Sequence, residues 1–507
     1  MAITNKPIKQ SIHFNPNVVV LTIAQYTRYF LLPVLAAFYP SFFFYGNNVH
    51  DLLFIDLART LFVYFMIAIV VYFAFLVMYR NTPLKAAIAT FIFLIFFNLY
   101  GLLENLILKL DWFPVYDYLT MPIALLLAGY SIWFINKLKD HAAKQFWNFG
   151  AIVLGGLIIY NIALMLPIEV ARLQKTNPIR SDIATTVLTA QQESPDIYYI
   201  ILDEFSGLAP MREFWKDPVV DQFSDFLKSN GFAVFEISHG GSQDTITEIA
   251  SRLNFQKYPY EQEASKREKL FDVIADNRVM NYLKQTGYTI VTFNEMQFGY
   301  SSAPTIKADV TYNYGDTPTT NLGTFFNDFG MMVADNTMLN VVSDSYKRSG
   351  ANKHTNMIFF TTNKIGNLRE ITSPKFVYVH LLVPHAPFIF DEHGDLNPPS
   401  SYTDYSYYPG NYKFAIFLAQ KMLNNIISDS DPSSPPVIIL QSDHGLRNFA
   451  SAFAGQPGDF TEENSTHILY ALSMPGYEPS FSAREMDPIN TFPIVFNHLF
   501  DAGIPLK

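Results

Sequence analysis

Five apolar runs crowd the first 168 residues, near 29–46, 57–78, 86–108, 115–136 and 147–168, and no run of that length follows them. Crossing a hydrocarbon core takes a helix of roughly 17–25 residues. The chain therefore meets two solvents, lipid first and water later, and its two parts obey different rules. Charge divides in the same place: residues 1–178 carry 12 Lys and Arg against 7 Asp and Glu, and the remainder 23 against 38. An acidic second part repels phosphate backbones and excludes nucleic acid as a natural partner. Half of the 507 residues are hydrophobic and only 16% are charged, against a typical ~25%, so the chain is neither disordered nor an ordinary soluble enzyme. Cysteine is absent, which excludes disulfides, CxxC zinc sites, iron–sulfur clusters and thiol nucleophiles.

The five runs predict a bundle of about five transmembrane helices over residues 1–168. Glu104 and Pro122 inside them are tolerable where helices pack on one another. The first run follows Arg28 without a small-residue cleavage site, so it reads as a span and not as a signal peptide. Lys6, Lys9, Arg28, Arg80, Lys85, Lys137, Lys139 and Lys144 all fall on one side if the N-terminus is cytoplasmic. An odd number of spans then places residues 170–507 outside. One helix suffices as an anchor, so five point to contact with a lipid or lipid-linked substrate. Residues 169–194 read as a connecting helix or linker.

From residue 195 short apolar runs alternate with helical periodicity. Strands are expected at Asp196–Asp203, Phe232–Ile237, Tyr288–Phe293, Lys375–Leu382, Val437–Gln441 and His467–Met474, and helices at 219–229, 246–254, 267–285, 412–428 and 489–499. That alternation predicts an α/β domain over 195–507, a mostly parallel sheet with helices on both faces. Such sheets carry their chemistry at the carboxyl ends of the strands.

Four segments supply that chemistry. The first expected strand ends in Asp203-Glu204, and a carboxylate there is costly unless paired or bound to a metal. Val437-Ile-Ile-Leu-Gln-Ser ends in Asp443-His444-Gly445, an oxygen and a nitrogen ligand on one tight turn suited to zinc or manganese. His239-Gly-Gly-Ser-Gln-Asp precedes Thr245, which opens a helix, and Thr245-x-x-Glu248 reads as a capping box. The same helix N-terminus suits a phosphate, and a hydroxyl there can attack phosphorus if a metal lowers its pKa. Ser242 and Thr247 compete with Thr245 for that role. Finally, Val383-Pro-His385-Ala-Pro-Phe388 follows a strand that contains His380, and an imidazole on this proline-stiffened loop can bind phosphate or protonate a leaving oxygen. Arg447 and His467 are further substrate-binding candidates by position, and Tyr402, Tyr405, Tyr407, Tyr408 and Tyr412 read as a solvated loop.

These four segments, in this order, resemble the alkaline phosphatase and sulfatase superfamily. The multi-span anchor ahead of them is similar to the lipoteichoic acid synthase and lipid A phosphoethanolamine transferase branch, the membrane-anchored sulfatase-like transferases. The resemblance spans the chain in architecture but only short motifs in sequence, among them Thr245 ahead of Ile-Ala-Ser-Arg-Leu-Asn. It implies one divalent metal (Mn2+, Zn2+ or Mg2+) held by Asp203, Thr245, Asp443 and His444, with Thr245 as nucleophile and His385 on the substrate phosphate. It further implies a bacterial plasma-membrane enzyme with a phospholipid donor and an envelope-glycan acceptor, working through a phospho-threonine intermediate. A phosphodiesterase or phosphatase that gives the intermediate to water, or a non-catalytic scaffold of envelope assembly, is the alternative. The chain departs from the pattern in three places. Glu204 follows Asp203, where the lipoteichoic-type pattern has Glu then Ser, so either carboxylate is a candidate ligand. Leu381 stands four residues before His385, where a two-metal member has Asp. No C/S-x-P-x-R segment is present, which argues against sulfatase chemistry.

Overall fold

The computed structural model describes residues 16–49, 54–80, 82–103, 117–173, 194–260, 264–293, 306–312, 328–340, 354–454, 461–477 and 485–507. Two compact units emerge: Met1–Val170 with Thr319–Ser343, and Ala171–Pro318 with Asp344–Lys507.

The first unit contains α1 (Pro16–Asn47), α2 (Phe54–Met78), α3 (Pro83–Asn98), α4 (Asp117–Asn136) and α5 (Asp140–Leu173). Each of the five apolar runs falls at least in part on one of these helices among the described residues. Three stretches, Tyr26–Asn47, Phe54–Met78 and Asp140–Val170, are long and apolar enough to cross a membrane, whereas Pro83–Asn98 and Thr120–Phe134 are shorter. Glu104 and most of the 169–194 connector lie outside the described residues, while α5 runs on to Leu173. Small residues line the helix contacts: Ala36, Ala37, Ala68, Ala86, Ala87 and Ala143 are buried, letting backbones approach. Polar side chains cross between helices, as where Asn98 Nδ2 donates to Ala36 O at 2.9 Å and Trp147 Nε1 to Tyr29 O at 3.0 Å.

A segment from beyond residue 195 belongs to this unit. The short helix Asp328–Asp335 and the turn after it pack among the apolar helices, with Phe329 and Val333 buried. Phe329 meets Tyr45 edge-on at 6.0 Å, Met338 N–H donates to Phe97 O, and Gly101 N–H donates to Asn336 O. A Cβ at Gly101 would stand 2.9 Å from the Asn336 Cα, so glycine permits this approach. The expectation of one continuous soluble domain over 195–507 did not foresee this excursion.

The second unit is built on a seven-stranded sheet in the order β2-β7-β6-β1-β5-β3-β4. The strands are β1 (Ile197–Leu202), β2 (Ala233–Val234), β3 (Thr289–Phe293), β4 (Val310–Tyr312), β5 (Lys375–Leu381), β6 (Val437–Ser442) and β7 (Tyr470–Ser473). β1 pairs in parallel with β5 and β6, and β3 in parallel with β4 and β5, whereas β7 runs antiparallel to β6 and β2. Every residue of β1, β5 and β6 is buried, the signature of strands covered on both faces. Alternation along β1 divides the core: Tyr198, Ile200 and Leu202 join one cluster, and Ile197, Tyr199 and Ile201 the other.

Several expected elements change shape. The Phe232–Ile237 run reduces to the two residues of β2, and the run from His467 begins as a strand only at Tyr470. β4 has no counterpart among the expected strands. The expected helix 267–285 breaks in two because the Asn277 side chain caps a new helix by accepting from Met280 N–H. The tyrosine segment is not a solvated loop: Tyr408 and Tyr412 are fully buried in the helix Tyr408–Asp429, and Tyr402 is buried beside it.

Candidate active site

The carboxyl ends of β1 and β6 lie side by side, since Leu202 pairs with Ser442. The next residue of each strand is therefore Asp203 and Asp443, two fully buried carboxylates on adjacent strand ends. Asp443 is saturated with donors. Its Oδ1 accepts from Glu204 N–H at 3.0 Å and His444 N–H at 2.8 Å, and its Oδ2 accepts from Thr245 Oγ1 at 2.6 Å. Asp203 is the opposite: neither oxygen accepts a hydrogen bond among the described residues. Imidazoles stand near it instead, with His380 Nε2 3.4 Å from Oδ2 and His444 Nε2 3.8 Å from Oδ1. Burial pushes the Asp203 carboxyl up, but His385, His380 and His444 outweigh it and hold the group well below the usual carboxylate range.

His444 is oriented by its own turn. Nδ1–H donates to Gly445 O at 2.8 Å, which leaves the Nε2 lone pair facing Asp443 Oδ2 at 3.5 Å. Gly445 is required there, because a Cβ would overlap the carbonyls of His467 and Ser465.

Thr245 is the first residue of the helix Thr245–Asn254, but it is not the cap. Asp244 is the N-cap, accepting from Thr247 N–H and Thr247 Oγ1, so the Thr245–Glu248 capping box does not form. That division of labour frees the Thr245 hydroxyl for Asp443 and occupies that of Thr247. Ser242 is likewise occupied, accepting from Asp244 N–H at 2.8 Å. Glu248 turns to Arg252, 3.1 Å away, and both are buried. Arg252 donates to the carbonyls of Ser442 and Asp443, tying the Thr245 helix to the end of β6. Sequence reading missed this role; an arginine on the helix's buried face was the available signal.

The two acidic residues after β1 part company. Glu204, in a left-handed conformation with φ 59°, aims its carboxylate at Arg447 N–H (2.9 Å) and Tyr405 OH (3.3 Å), and lies 3.7 Å from His385 Nε2. Arg447 donates to His385 Nε2 at 2.8 Å and to His444 Nε2 at 2.7 Å. A cationic group thus rests on the His444 lone pair. Burial pulls the His385 pKa down, but Asp203 and Glu204 outweigh it, so the net shift is upward.

Asp203, Thr245, Asp443 and His444 therefore converge, with His380 beside them and His385 and Arg447 at the edge. Ligand atoms of Asp203, His380 and Asp443 all lie within 4.8 Å of one another. Two buried carboxylates, one of them without donors, and an imidazole lone pair make a set that could hold a divalent cation. His467 packs its ring on His239 at 3.9 Å between centroids.

No family model and no curated protein sequence matches the chain. Among solved structures it is similar to the C-terminal periplasmic domain of EcEptC from Escherichia coli in complex with Zn, at 15% identity over 61% of this chain and 83% of that one, with a TM-score of 0.38. It is similar to the soluble domain of lipooligosaccharide phosphoethanolamine transferase A from Neisseria meningitidis, at 10% identity over 57% and 79%, with a TM-score of 0.36. It is also similar to a protein in the alkaline phosphatase superfamily from Vibrio parahaemolyticus, at 12% identity over 67% and 78%, with a TM-score of 0.40.

Proposed function

We propose that the chain is a membrane-bound, metal-dependent transferase of the bacterial plasma membrane, with a cytoplasmic N-terminus and an extracytoplasmic α/β domain. It moves a phosphoryl-linked head group, of the phosphoglycerol or phosphoethanolamine type, from a phospholipid to an envelope glycan. The observation that carries this reading is the Thr245 hydroxyl, 2.6 Å from Asp443 at a helix N-terminus, beside the Asp203 carboxylate, whose oxygens accept no hydrogen bond among the described residues. Asp203, Thr245, Asp443 and His444 are the proposed ligands of one divalent metal, whose binding would turn Arg447 from the His444 lone pair toward the substrate phosphate. When bound, the metal lowers the pKa of the Thr245 hydroxyl and offsets phosphate charge.

Thr245 Oγ attacks the donor phosphorus and passes its proton toward Asp443 Oδ2. The new O–P bond replaces the P–O bond to diacylglycerol. Arg447 and His385 bind the phosphate oxygens, and with Arg447 turned from His385 Nε2 to the phosphate, protonated His385 supplies the proton to the departing glycerol oxygen. A sugar hydroxyl then gives its proton to His385 and attacks the phospho-threonine; the P–O bond to Thr245 breaks, and Asp443 returns the proton to Thr245 Oγ. Glu204 holds Arg447 through its backbone N–H and so positions the phosphate site.

Peptide mass spectrometry on full-length protein from a lipid-containing host tests this, with Thr245→Ala as control. An adduct of phosphoglycerol or phosphoethanolamine mass on the Thr245 peptide is expected, absent from the variant. Lipid consumed without adduct or glycan product would replace the transferase with a hydrolase. Unmodified Thr245 in metal-loaded protein that consumes no lipid would make the chain a scaffold.

A further inference from the structure

His239 lies just before the Gly240-Gly241 turn and faces His467 across an isolated antiparallel bridge. Glu463 lies on the short helix Glu462–Thr466, which His467 directly follows. One ligand atom from each of the three lies within 4.8 Å of the other two. None of them belongs to the set around Asp203 and Thr245.

The surroundings prepare both imidazoles as ligands. Thr466 Oγ1 gives its proton to Glu463 O at 2.9 Å, so toward His239 Nδ1, 3.2 Å away, it acts as an acceptor. His239 is then protonated on Nδ1, and its Nε2 lone pair is free. This is the second-shell arrangement that fixes tautomer and ring direction in metal-binding histidines. His467 Nδ1 is buried and makes no hydrogen bond among the described residues.

We propose that His239, Glu463 and His467 form a second divalent-metal site, with zinc as the fitting ion. Two imidazoles and one carboxylate are a zinc donor set, and three protein ligands leave a fourth position for water or an anion. Glu463 is exposed, so the site opens to solvent. Its position gives it a consequence. Gly240 N–H donates to Thr466 O, Gln243 Nε2 to Ser465 Oγ, and Gly445 N–H to Ser465 O. The loop leading to Thr245 and the Asp443-His444-Gly445 turn thus both lean on residues 465–466, and an ion bridging 239 to 463 and 467 clamps the two together.

Zinc titration of the metal-stripped full chain, read as bound equivalents and as the visible absorption of the Co2+ form, tests the site. Wild-type protein is expected to take up two equivalents. His239→Ala and Glu463→Gln should each lose one, and Asp443→Asn should lose the other. Glu463→Gln alters an exposed side chain, so a lost equivalent there, with an unchanged thermal melt, is not a folding defect. A wild-type stoichiometry of none, or a stoichiometry that neither His239→Ala nor Glu463→Gln lowers, overturns the proposal. Retention of the His239-dependent equivalent in Asp443→Asn separates this site from the one around Thr245.

Discussion

The two units differ in what they expose. In the α/β unit large apolar side chains are inside: Ile200, Leu440 and Phe376 are fully buried on central strands. In the helical unit Val70, Phe73, Leu126 and Ile152 are 66–74% exposed, while alanines, Tyr45, Tyr64 and Tyr100 share the interior with Leu32, Leu57 and Leu94. An apolar exterior as hydrophobic as the interior is the arrangement expected where the solvent is lipid and apolar burial drives nothing. The comparison teaches that hydrophobicity specifies the core only where water is the alternative. In the helical unit shape and interhelical hydrogen bonds must specify it.

The largest expected effect tests how the α/β interior tolerates charge. Arg252 and Glu248 are buried together, and Arg252 also holds two strand-end carbonyls. Arg252→Met leaves Glu248 buried without its cation and should cost about 3–5 kcal/mol in unfolding experiments. A loss below about 1 kcal/mol would mean that the pair is solvated and the interior less dry than its burial indicates. The next effect contrasts the units directly. Ile200→Ala, at a fully buried position, should cost about 2–5 kcal/mol. Phe73→Ala, at a position 66% exposed, should stay within about 0.5 kcal/mol in detergent. Equal costs at the two positions would break the comparison. The smallest effect is pH dependence. Burial draws the His354 pKa from its ordinary 6.5 down to about 4, with His385 adding to the shift and a hydrogen bond at Leu382 opposing it. The unfolded state binds a proton below pH 6.5 that the folded state refuses until about pH 4. Stability should therefore be full above pH 6.5 and fall as the pH drops toward 4, and His354→Gln should flatten that slope in thermal melts.

Much of the α/β unit was legible because its signals are local. The apolar runs of β1 and β6 end in Asp203-Glu204 and Asp443-His444, and strand polarity alone puts both pairs at one sheet edge. Thr245 could be named because glycines and a helix start surround it. Its cap could not, because Asp244 and Thr245 both suit the cap position and only the pull of Asp443 on the Thr245 hydroxyl separates them. His380 was passed over as one imidazole inside a strand, since nothing local shows that its register places it against Asp203. The excursion at 328–340 was invisible for a related reason: the apolar run in its eight-residue helix is too short to name a partner, and the segment is assigned only by Phe329, Val333 and Met338 finding the helical unit.

By itself, then, the sequence determined which stretches are apolar enough to leave water, where the strands end, and which oxygen- and nitrogen-bearing side chains stand at those ends. These properties follow from hydropathy, periodicity and neighbouring residues, all local along the chain. The tertiary structure alone decided that Asp203 and not Glu204 faces Asp443 and His444, that Arg447 bridges His385 and His444, and that His239 meets Glu463 and His467 more than 220 positions away. Each of those depends on which backbones become neighbours, and a choice made by long-range packing leaves no trace in the residues on either side.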